Sequence, residues 1–230
     1  MAVYVIRDPH LSFGTQKPMD VFEGWTDYTD RLKKNWIRLV KDTDTVVLPG
    51  DISWGMTLDE ALPDFLFLNS LPGRKIISKG NHDLWWPTMK KLDEFREKNG
   101  LDTISFLFNN SYEAENFIIC GTRGWNFENG SPDDEKIILR EAGRLRASLR
   151  SRDSESDKEK IVFLHYPPIY QNMASEKIIE VMKEYGVRRC YYGHLHGKTI
   201  NYAFNGEKDG IKYRLISADS LEFCPYIIDY

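Results

Sequence analysis

Short apolar runs alternate with amphipathic stretches along most of the chain. Several of the runs are apolar at consecutive positions, which is typical of strands covered on both faces. They predict strands at Val3–Ile6, Thr45–Leu48, Lys75–Ile77, Phe117–Cys120, Ile161–Leu164, Cys190–Tyr192 and Tyr213–Ile216. The amphipathic stretches predict helices over Trp25–Val40, Thr57–Ser70, Leu84–Lys98, Asp134–Arg150 and Ser175–Tyr185. This alternation predicts parallel strands joined by right-handed crossovers.

Helix boundaries are indicated by capping and proline positions. Thr57 and Glu60 have the spacing of a capping box, so a helix is expected to begin there. Pro63 is expected to kink that helix or to restart it as a second one. Asp83 is a good N-cap for the following helix, in which Pro87 is early enough to be tolerated.

Two stretches differ from the strand–helix alternation and predict antiparallel hairpins. They are Phe106–Gly121 and Thr199–Tyr230, with turn signals at Asn109-Asn110, Glu115-Asn116, Asn205-Gly206 and Asp209-Gly210. The sheet system is therefore expected to be mixed. The charged segment Ser151–Lys160 is interpreted as an exposed loop rather than a linker. A single α/β domain over residues 1–230 is the favoured organisation.

Composition narrows the functional classes. Hydrophobic residues make up 41% of the 230 positions and charged residues 29%, so a sizeable core is expected. The net charge of −4 and the pI of about 5.8 give no general attraction to nucleic acid or anionic lipid. No apolar run is long enough to span a membrane, and the N-terminus lacks the pattern of a signal peptide. Three well-separated cysteines favour reduced thiols and a cytoplasmic location.

Five short polar motifs each follow one of the predicted strands, and together they contain every histidine of the chain. They are Asp8-Pro-His10, Gly50-Asp51, Gly80-Asn81-His82-Asp83, His165-Tyr-Pro-Pro and Gly193-His194-Leu-His196-Gly197. In open α/β sheets, ligands bind where strands end at their carboxyl edge, so these motifs are expected to converge. Imidazole nitrogens and carboxylate oxygens are the ligands of hydrolytic metal pairs. The pattern therefore predicts a two-metal enzyme, with phosphate-ester hydrolysis as the leading chemistry.

This ordered set of motifs resembles the calcineurin-like metallophosphoesterase superfamily, and in particular its small bacterial phosphohydrolases. The resemblance covers Asp8 through His196. It implies a four-layer α/β/β/α sandwich with two mixed sheets. It also implies a first metal held by Asp8, His10 and His196, a second held by Asn81, His165 and His194, and Asp51 as the bridging ligand.

The same resemblance implies the roles of the catalytic residues. His82 would protonate the leaving group or stabilise the phosphoryl oxygens, and Asp83 would hold and polarise His82. Two divalent ions lower the pKa of a bound water, and the bridging hydroxide then attacks phosphorus in line with the leaving oxygen. Manganese is the expected metal, with iron or zinc as alternatives, because nitrogen and oxygen ligands do not select sharply among them.

Substrate contacts are the least determined part of the sequence. Arg123, in a polar loop over 121–134, is a candidate phosphate ligand, with a surface salt bridge as the alternative. Trp54 and Trp125 either pack structurally or form an aromatic wall against the substrate, and the same alternatives hold for Trp85 and Trp86. Arg7, at a position where the superfamily has a small residue, either pairs with a carboxylate or binds phosphate.

The expected partner is a small phosphate ester. A phosphodiester is favoured by analogy with small members of the superfamily, with a phosphomonoester or a nucleotide pyrophosphate as alternatives on the same site. A scaffold that binds metal without catalysis is the alternative outside the enzyme class.

The arginine-rich helix between Asp134 and Arg150 is interpreted as a solvated charged face rather than a nucleic-acid surface, because Glu135 and Glu141 lie among its arginines.

Overall fold

The computed structural model describes residues 1–125, 132–152 and 157–229. Parts of the predicted loops at 121–134 and 151–160 therefore lie outside the described residues. The described chain forms two compact units, one made of residues 1–106 with the C-terminal segment from Ser217, the other of Leu107–Ile216. A single domain over residues 1–230 stays a prediction.

The first unit is built on a five-stranded sheet. Its strands are β1 (Val3–Val5), β2 (Thr45–Leu48), β3 (Arg74–Ile77), β4 (Ile104–Phe106) and β13 (Tyr226–Ile227). The order is β13-β1-β2-β3-β4, in which β1 to β4 are parallel and β13 is antiparallel to β1. Every residue of β1 is buried, as its unbroken apolar run predicts. The parallel strand β4 was not predicted, since its three residues are too short to form a distinct run.

Three helices belong to this unit, namely α1 (Tyr28–Leu39), α2 (Leu58–Ser70) and α3 (Met89–Lys98). The Thr57 side chain accepts a hydrogen bond from the Glu60 amide at 3.3 Å, which confirms the predicted start of α2. Pro63 lies inside one continuous helix, so the alternative of a second helix beginning there is wrong. A proline removes only one intrahelical hydrogen bond, and Phe65 and Leu68 keep this helix buried on one face.

The predicted start of α3 at Leu84, capped by Asp83, is wrong. The helix begins at Met89, after Thr88. Pro87 disfavours helical geometry at Trp86, and this restriction delays the helix. The Asp83 side chain accepts hydrogen bonds from the backbone of another loop rather than capping a helix.

The second unit contains a six-stranded mixed sheet. Its strands are β5 (Tyr112–Ala114), β6 (Phe117–Thr122), β7 (Glu159–Leu164), β10 (Arg189–Tyr192), β11 (Gly206–Lys208) and β12 (Ile211–Leu215). In the order β11-β12-β10-β7-β6-β5 the four central strands are parallel and the two edge strands antiparallel. A small ribbon pairs β8 (Ile169–Tyr170) with β9 (Met173–Ala174). Two large mixed sheets with helices confirm the predicted fold class.

The helices of the second unit are α4 (Pro132–Arg150), α5 (Glu176–Glu184) and a 3-10 helix over Gly197–Tyr202. Leu145, Leu149, Ile178 and Met182 from α4 and α5 lie in one apolar core with residues of β6, β7, β10 and β12. Two predicted hairpins are confirmed, at Glu115-Asn116 between β5 and β6 and at Asp209-Gly210 between β11 and β12. The other two turn signals join no hairpin.

The charges of α4 differ from the prediction of a fully solvated face. Arg146 forms an exposed ion pair with Glu184 at 2.7 Å. Glu141, in contrast, is buried and accepts hydrogen bonds from Thr122 at 2.6 Å and from Arg144 at 2.6 Å.

Among the described residues, none of the helices has the length and apolar composition of a membrane span. All three cysteines are free thiols.

Candidate metal centre

In the first unit, three of the motifs follow three adjacent parallel strands. The backbone joins these loops directly, since the Asp8 amide donates to the Gly50 carbonyl at 3.2 Å and the His10 amide to the Asp51 carbonyl at 3.1 Å. Asp8, His10 and Asp51 are all buried. The predicted convergence at the carboxyl edge of the sheet is therefore present for the three motifs of the first unit.

The same three residues have left-handed backbone angles, with φ of 53° at Asp8, 45° at His10 and 52° at Asp51. Such angles cost side-chain-bearing residues about 1 kcal/mol or more each, so surrounding contacts must hold them. One such contact is the Tyr28 hydroxyl of α1, which donates to the His10 carbonyl at 3.0 Å. Strained backbone at three candidate ligands is typical of a functional site.

The side chains of these residues form a compact donor set. One carboxylate oxygen of Asp8 and one of Asp51 lie within 4.8 Å of each other. His10 Nε2 lies 3.8 Å from Asp51 Oδ2. Asp51 Oδ1 accepts a hydrogen bond from the His82 amide at 2.9 Å. Two buried carboxylates and an imidazole are the oxygen and nitrogen donors that hard and borderline divalent metals require, so these residues fit a metal ion.

The pKa of Asp51 is raised well above its ordinary value. Burial is the largest cause, and the nearby carboxylates of Asp8 and Asp83 raise it further. Arg7 and the His82 amide oppose this rise. A buried cation would relieve the repulsion among these carboxylates, which is the electrostatic signature of a cation site.

Asp8 also has two protein contacts. Arg7 Nε lies 3.3 Å from Asp8 Oδ1, and both side chains are fully buried. The Ser217 hydroxyl donates to Asp8 Oδ2 at 3.1 Å. Of the two roles considered for Arg7, the structure therefore shows pairing with a carboxylate. Ser217 lies far from every motif in sequence, and no pattern indicated its contact with Asp8.

Asp83 is fully buried, and its carboxylate accepts five hydrogen bonds. Four come from the amides of Asp51, Ile52 and Gly80, each at 2.8 Å, and of Ser53 at 3.3 Å. The fifth comes from Trp85 Nε1 at 3.1 Å. Because a carboxylate offers about four acceptor positions, these bonds engage Asp83 chiefly in fixing two loops. Its predicted polarisation of His82 stays a prediction.

Gly50 and Gly80 allow these loops to approach closely. A Cβ at Gly80 would lie 2.0 Å from Asp51 Oδ1 and 2.4 Å from the Asp51 amide nitrogen. Gly50 has φ of 109°, and its Cβ would lie 2.5 Å from the Gly80 amide nitrogen. No other residue type fits at Gly80 without displacing Asp51, or at Gly50 without displacing the backbone of residues 79 and 80.

Aromatic rings surround the histidines of the first unit. Trp54 is stacked on His10, with ring centroids 5.0 Å apart and an interplanar angle of 19°. The same indole lies 4.5 Å from the His82 ring. Trp54 is half-buried, whereas Trp85 and Trp86 are buried in the core. The structural packing considered for Trp85 and Trp86 is thereby confirmed.

In the second unit, His165 follows β7 and His194 follows the adjacent parallel strand β10. Their rings meet, with His165 Nε2 3.2 Å from His194 Nδ1. His165 is fully buried, and His194 has a left-handed φ of 71°. Tyr166 contacts both rings, at centroid distances of 4.9 Å and 4.5 Å. Two imidazoles with facing nitrogens suit a shared cation, and Tyr166 is a contact that the sequence did not single out.

The remaining predicted ligands are Asn81 and His196. Asn81 is half-buried in the loop after β3 of the first unit. His196, in the second unit, precedes the 3-10 helix, and its amide donates to Thr199 Oγ1 at 2.9 Å. Their assignment as metal ligands stays a prediction.

Arg123 lies in the loop after β6, next to these histidines. Its carbonyl accepts from the His165 amide at 2.9 Å and from the Tyr166 amide at 3.0 Å. The guanidinium lies 5.1 Å from the Trp125 ring and 6.0 Å from the Tyr166 ring. Among the described residues it forms no salt bridge, and its buried Nε has no hydrogen-bond partner. The choice between a phosphate ligand and a surface salt bridge for Arg123 stays a prediction.

Comparison with known protein families identifies the class. The calcineurin-like phosphoesterase family model matches residues 1–198, and the chain belongs to that family. It is accordingly a metal-dependent phosphoesterase, a hydrolase of a family that depends on two divalent metal ions. No curated protein matches the chain.

Solved structures share the fold. A protein of unknown function from Aquifex aeolicus is 16% identical with a TM-score of 0.53, covering 98% of this chain and 95% of its own. The protein TT1561 of Thermus thermophilus is 12% identical with a TM-score of 0.57, covering 84% and 81%. Phosphopantetheinyl hydrolase from Mycobacterium tuberculosis is 14% identical with a TM-score of 0.56, covering 99% and 95%.

Proposed function

We propose that the protein hydrolyses a phosphodiester with two divalent metal ions, by in-line attack of water on phosphorus. The observation that carries this proposal is the buried donor set of Asp8, His10 and Asp51 on two adjacent strand ends, in a chain of the calcineurin-like phosphoesterase family. The diester preference follows the analogy with small members of that family. A phosphomonoester and a nucleotide pyrophosphate are the alternatives on the same site.

The proposed ligands follow the family pattern. Asp8, His10 and His196 hold the first ion, Asn81, His165 and His194 hold the second, and Asp51 bridges the two. When bound, the ions activate water for attack near neutral pH and neutralise charge on the phosphoryl group. Manganese is the proposed metal, with iron or zinc as alternatives, since the ligand set contains no thiolate.

The protein's own side chains have two proposed tasks. His82 protonates the leaving oxygen, a step worth on the order of 10²–10⁴ in rate. Arg123 binds a non-bridging phosphoryl oxygen, because a planar guanidinium matches phosphate in a two-point contact. Support for Arg123 comes from its guanidinium, which lies beside the contacting rings of Trp125 and Tyr166 and forms no salt bridge among the described residues.

A metal-supplemented activity screen tests the proposal. Chelated protein is loaded separately with manganese, iron, cobalt, nickel and zinc and assayed on bis-p-nitrophenyl phosphate and p-nitrophenyl phosphate. Elemental analysis of the same samples counts the bound ions. We expect two ions per chain and faster hydrolysis of the diester. Faster hydrolysis of the monoester would overturn the diester preference, and no hydrolysis of either compound with any metal would favour a scaffold.

The proposed setting is the cytoplasm, with a small phosphate ester as the partner. Cys120 and Cys190 are buried thiols and Cys224 is half-buried, with no disulfide among the described residues. Burial raises the pKa of the Cys190 thiol above its ordinary value, so this cysteine is inert at neutral pH. Such cysteines are ordinary in a reducing compartment.

A further inference from the structure

A cleft of about 530 Å³ lies beside Trp54 in the first unit. One wall is the segment of residues 13–17, which follows the Asp8–His10 loop, and the other includes Trp54, Met56 and Glu60. A second cavity of about 310 Å³ lies along the same segment. Neither cavity is lined by a predicted metal ligand, so both lie outside the proposed set of metal ligands.

Trp54 connects this cleft to the catalytic histidine. Its indole lines the cleft and also lies 4.5 Å from the ring of His82. A residue that protonates a leaving oxygen must lie beside that oxygen. With the proposed role of His82, a leaving group beside its ring would also lie beside Trp54 and the cleft.

Lys17 is the cationic side chain that lines the cleft, and Glu60 of the other wall is its acidic one. Its ammonium lies 4.9 Å from the centre of the Trp54 ring, and it forms no ion pair among the described residues. The nearby acids already have backbone partners, since Glu60 accepts from the Met56 amide at 2.7 Å and Asp20 from the Asp27 amide at 2.9 Å. Lys17 is thus the charge in this wall that is available to a bound anion.

The segment that carries Lys17 is held in place rather than loose. The Phe13 amide donates to Asp64 Oδ1 at 2.8 Å. A Cβ at Gly14 would lie 1.9 Å from the Glu60 carbonyl oxygen, so the segment touches the first turn of α2. The Thr15 amide donates to the Ser12 carbonyl at 3.2 Å. A fixed wall with one charge is suited to recognition, because little ordering entropy is lost on binding.

We propose that this cleft is the leaving-group site, and that the preferred substrate is a phosphate ester whose leaving group carries an anionic substituent recognised by Lys17. This inference rests on the proposed function. Half-exposed Phe13 and Met56, together with Trp54, provide apolar contact for the body of the leaving group. The charge on Lys17 then selects between leaving groups of similar shape.

The test compares two symmetric esters, diphenyl phosphate and bis(3-carboxyphenyl) phosphate, whose leaving groups differ by one carboxylate each. Release of the phenol is followed for the metal-loaded wild type, Lys17→Met, Lys17→Arg and, as a matched control, Lys33→Met, an exposed lysine on α1. We expect the wild type to prefer the carboxylated ester by about three- to fivefold in kcat/KM, the size of an exposed ion pair. Lys17→Met should remove the preference, so that its kcat/KM is the same for the two esters, whereas Lys33→Met should hydrolyse both at the wild-type rates.

Two further measurements sharpen the result. Lys17→Arg and Lys33→Met should keep the preference, and raising the salt concentration should reduce it in the wild type, because exposed charges are screened. An NMR titration with 3-hydroxybenzoate and phenol, the two leaving groups, measures binding without catalysis. The wild type and Lys17→Arg should bind 3-hydroxybenzoate more tightly than phenol. Lys17→Met should bind the two compounds with equal affinity.

The outcomes separate the two proposals. Hydrolysis of both esters without a carboxylate preference, or with one that survives in Lys17→Met, overturns the leaving-group site alone. Absence of hydrolysis, combined with Lys17-dependent binding of 3-hydroxybenzoate, overturns the proposed function and leaves the anion-binding cleft. If neither hydrolysis nor Lys17-dependent binding of 3-hydroxybenzoate is observed, both the proposed function and the leaving-group site are overturned.

Discussion

The buried carboxyl group of Asp64 makes a sharp prediction about stability and pH. Asp64 lies on α2 with no exposed surface, and it accepts hydrogen bonds from the Phe13 amide and the Ser53 hydroxyl. Burial raises its pKa from the ordinary value of 3.8 to about 6, although both hydrogen bonds oppose the rise. In Asp64→Asn the amide oxygen can still accept from Phe13 and the amide nitrogen can donate to Ser53 Oγ, so the packing is kept.

The magnitude follows from the pKa shift. At a pH well below 3.8 the carboxyl is protonated in both the folded and the unfolded state, and ionisation adds no cost. Between about 4 and 6 the unfolded state loses its proton first, so stability falls as the pH rises. Above about 6 the full cost applies, and a shift of about two pKa units corresponds to about 3 kcal/mol. Asp64→Asn lacks this cost at every pH.

The assay is equilibrium unfolding in urea at pH 4, 5, 6 and 7, with a chelator present throughout. The free energy of unfolding of Asp64→Asn minus that of the wild type should increase by about 2.4 kcal/mol from pH 4 to pH 7, because part of the cost is already present at pH 4. Asp102→Asn, which changes an exposed acid, is the matched control and should show no such increase. A difference that is constant with pH, or that decreases, would refute the assignment of Asp64 as a destabilising buried carboxyl.

Three other substitutions test the metal centre. His82→Ala should keep both ions by elemental analysis while the hydrolysis rate falls on the order of 10²–10⁴-fold; loss of metal would instead make His82 a ligand. Asp51→Asn should weaken the binding of both ions together in a metal titration, and loss of one ion alone would contradict a bridging role. Gly80→Ala places a Cβ 2.0 Å from Asp51 Oδ1, so metal content should fall, whereas Gly143→Ala, with no atom within 4 Å, should leave it unchanged.

The sequence predicted the architecture where one signal dominated the local structure. Apolar runs located seven strands. Most of these are buried at consecutive positions and so have few polar residues to break the run, whereas β12 alternates buried and exposed residues. The start of α3 was missed because two local signals conflicted, and the restriction imposed by Pro87 outweighed the capping preference of Asp83. Glu141 was taken as solvated because its burial depends on Thr122 of a distant strand.

The part of the site that lies in the sequence motifs could be predicted. The loops that carry Asp8, Asp51 and His82 follow adjacent strands, so their convergence within the first unit follows from strand order. Contacts made by single residues outside the motifs could not be predicted. Ser217 reaches Asp8 from 209 positions away, and the ammonium of Lys17 reaches Trp54 through the course of a loop.

The carboxylate of Asp83 has a consequence for how this protein recognises phosphate. Strand ends in many nucleotide-binding folds leave a row of amide groups open, and that row cradles the phosphates of the ligand. Here the amides of residues 51, 52, 53 and 80 already surround an anion that belongs to the protein. A phosphoryl oxygen arriving at this edge finds these four amides already engaged. Cations and cationic side chains are then expected to recognise it, and substituting those groups should alter substrate choice without unfolding the loops beneath them.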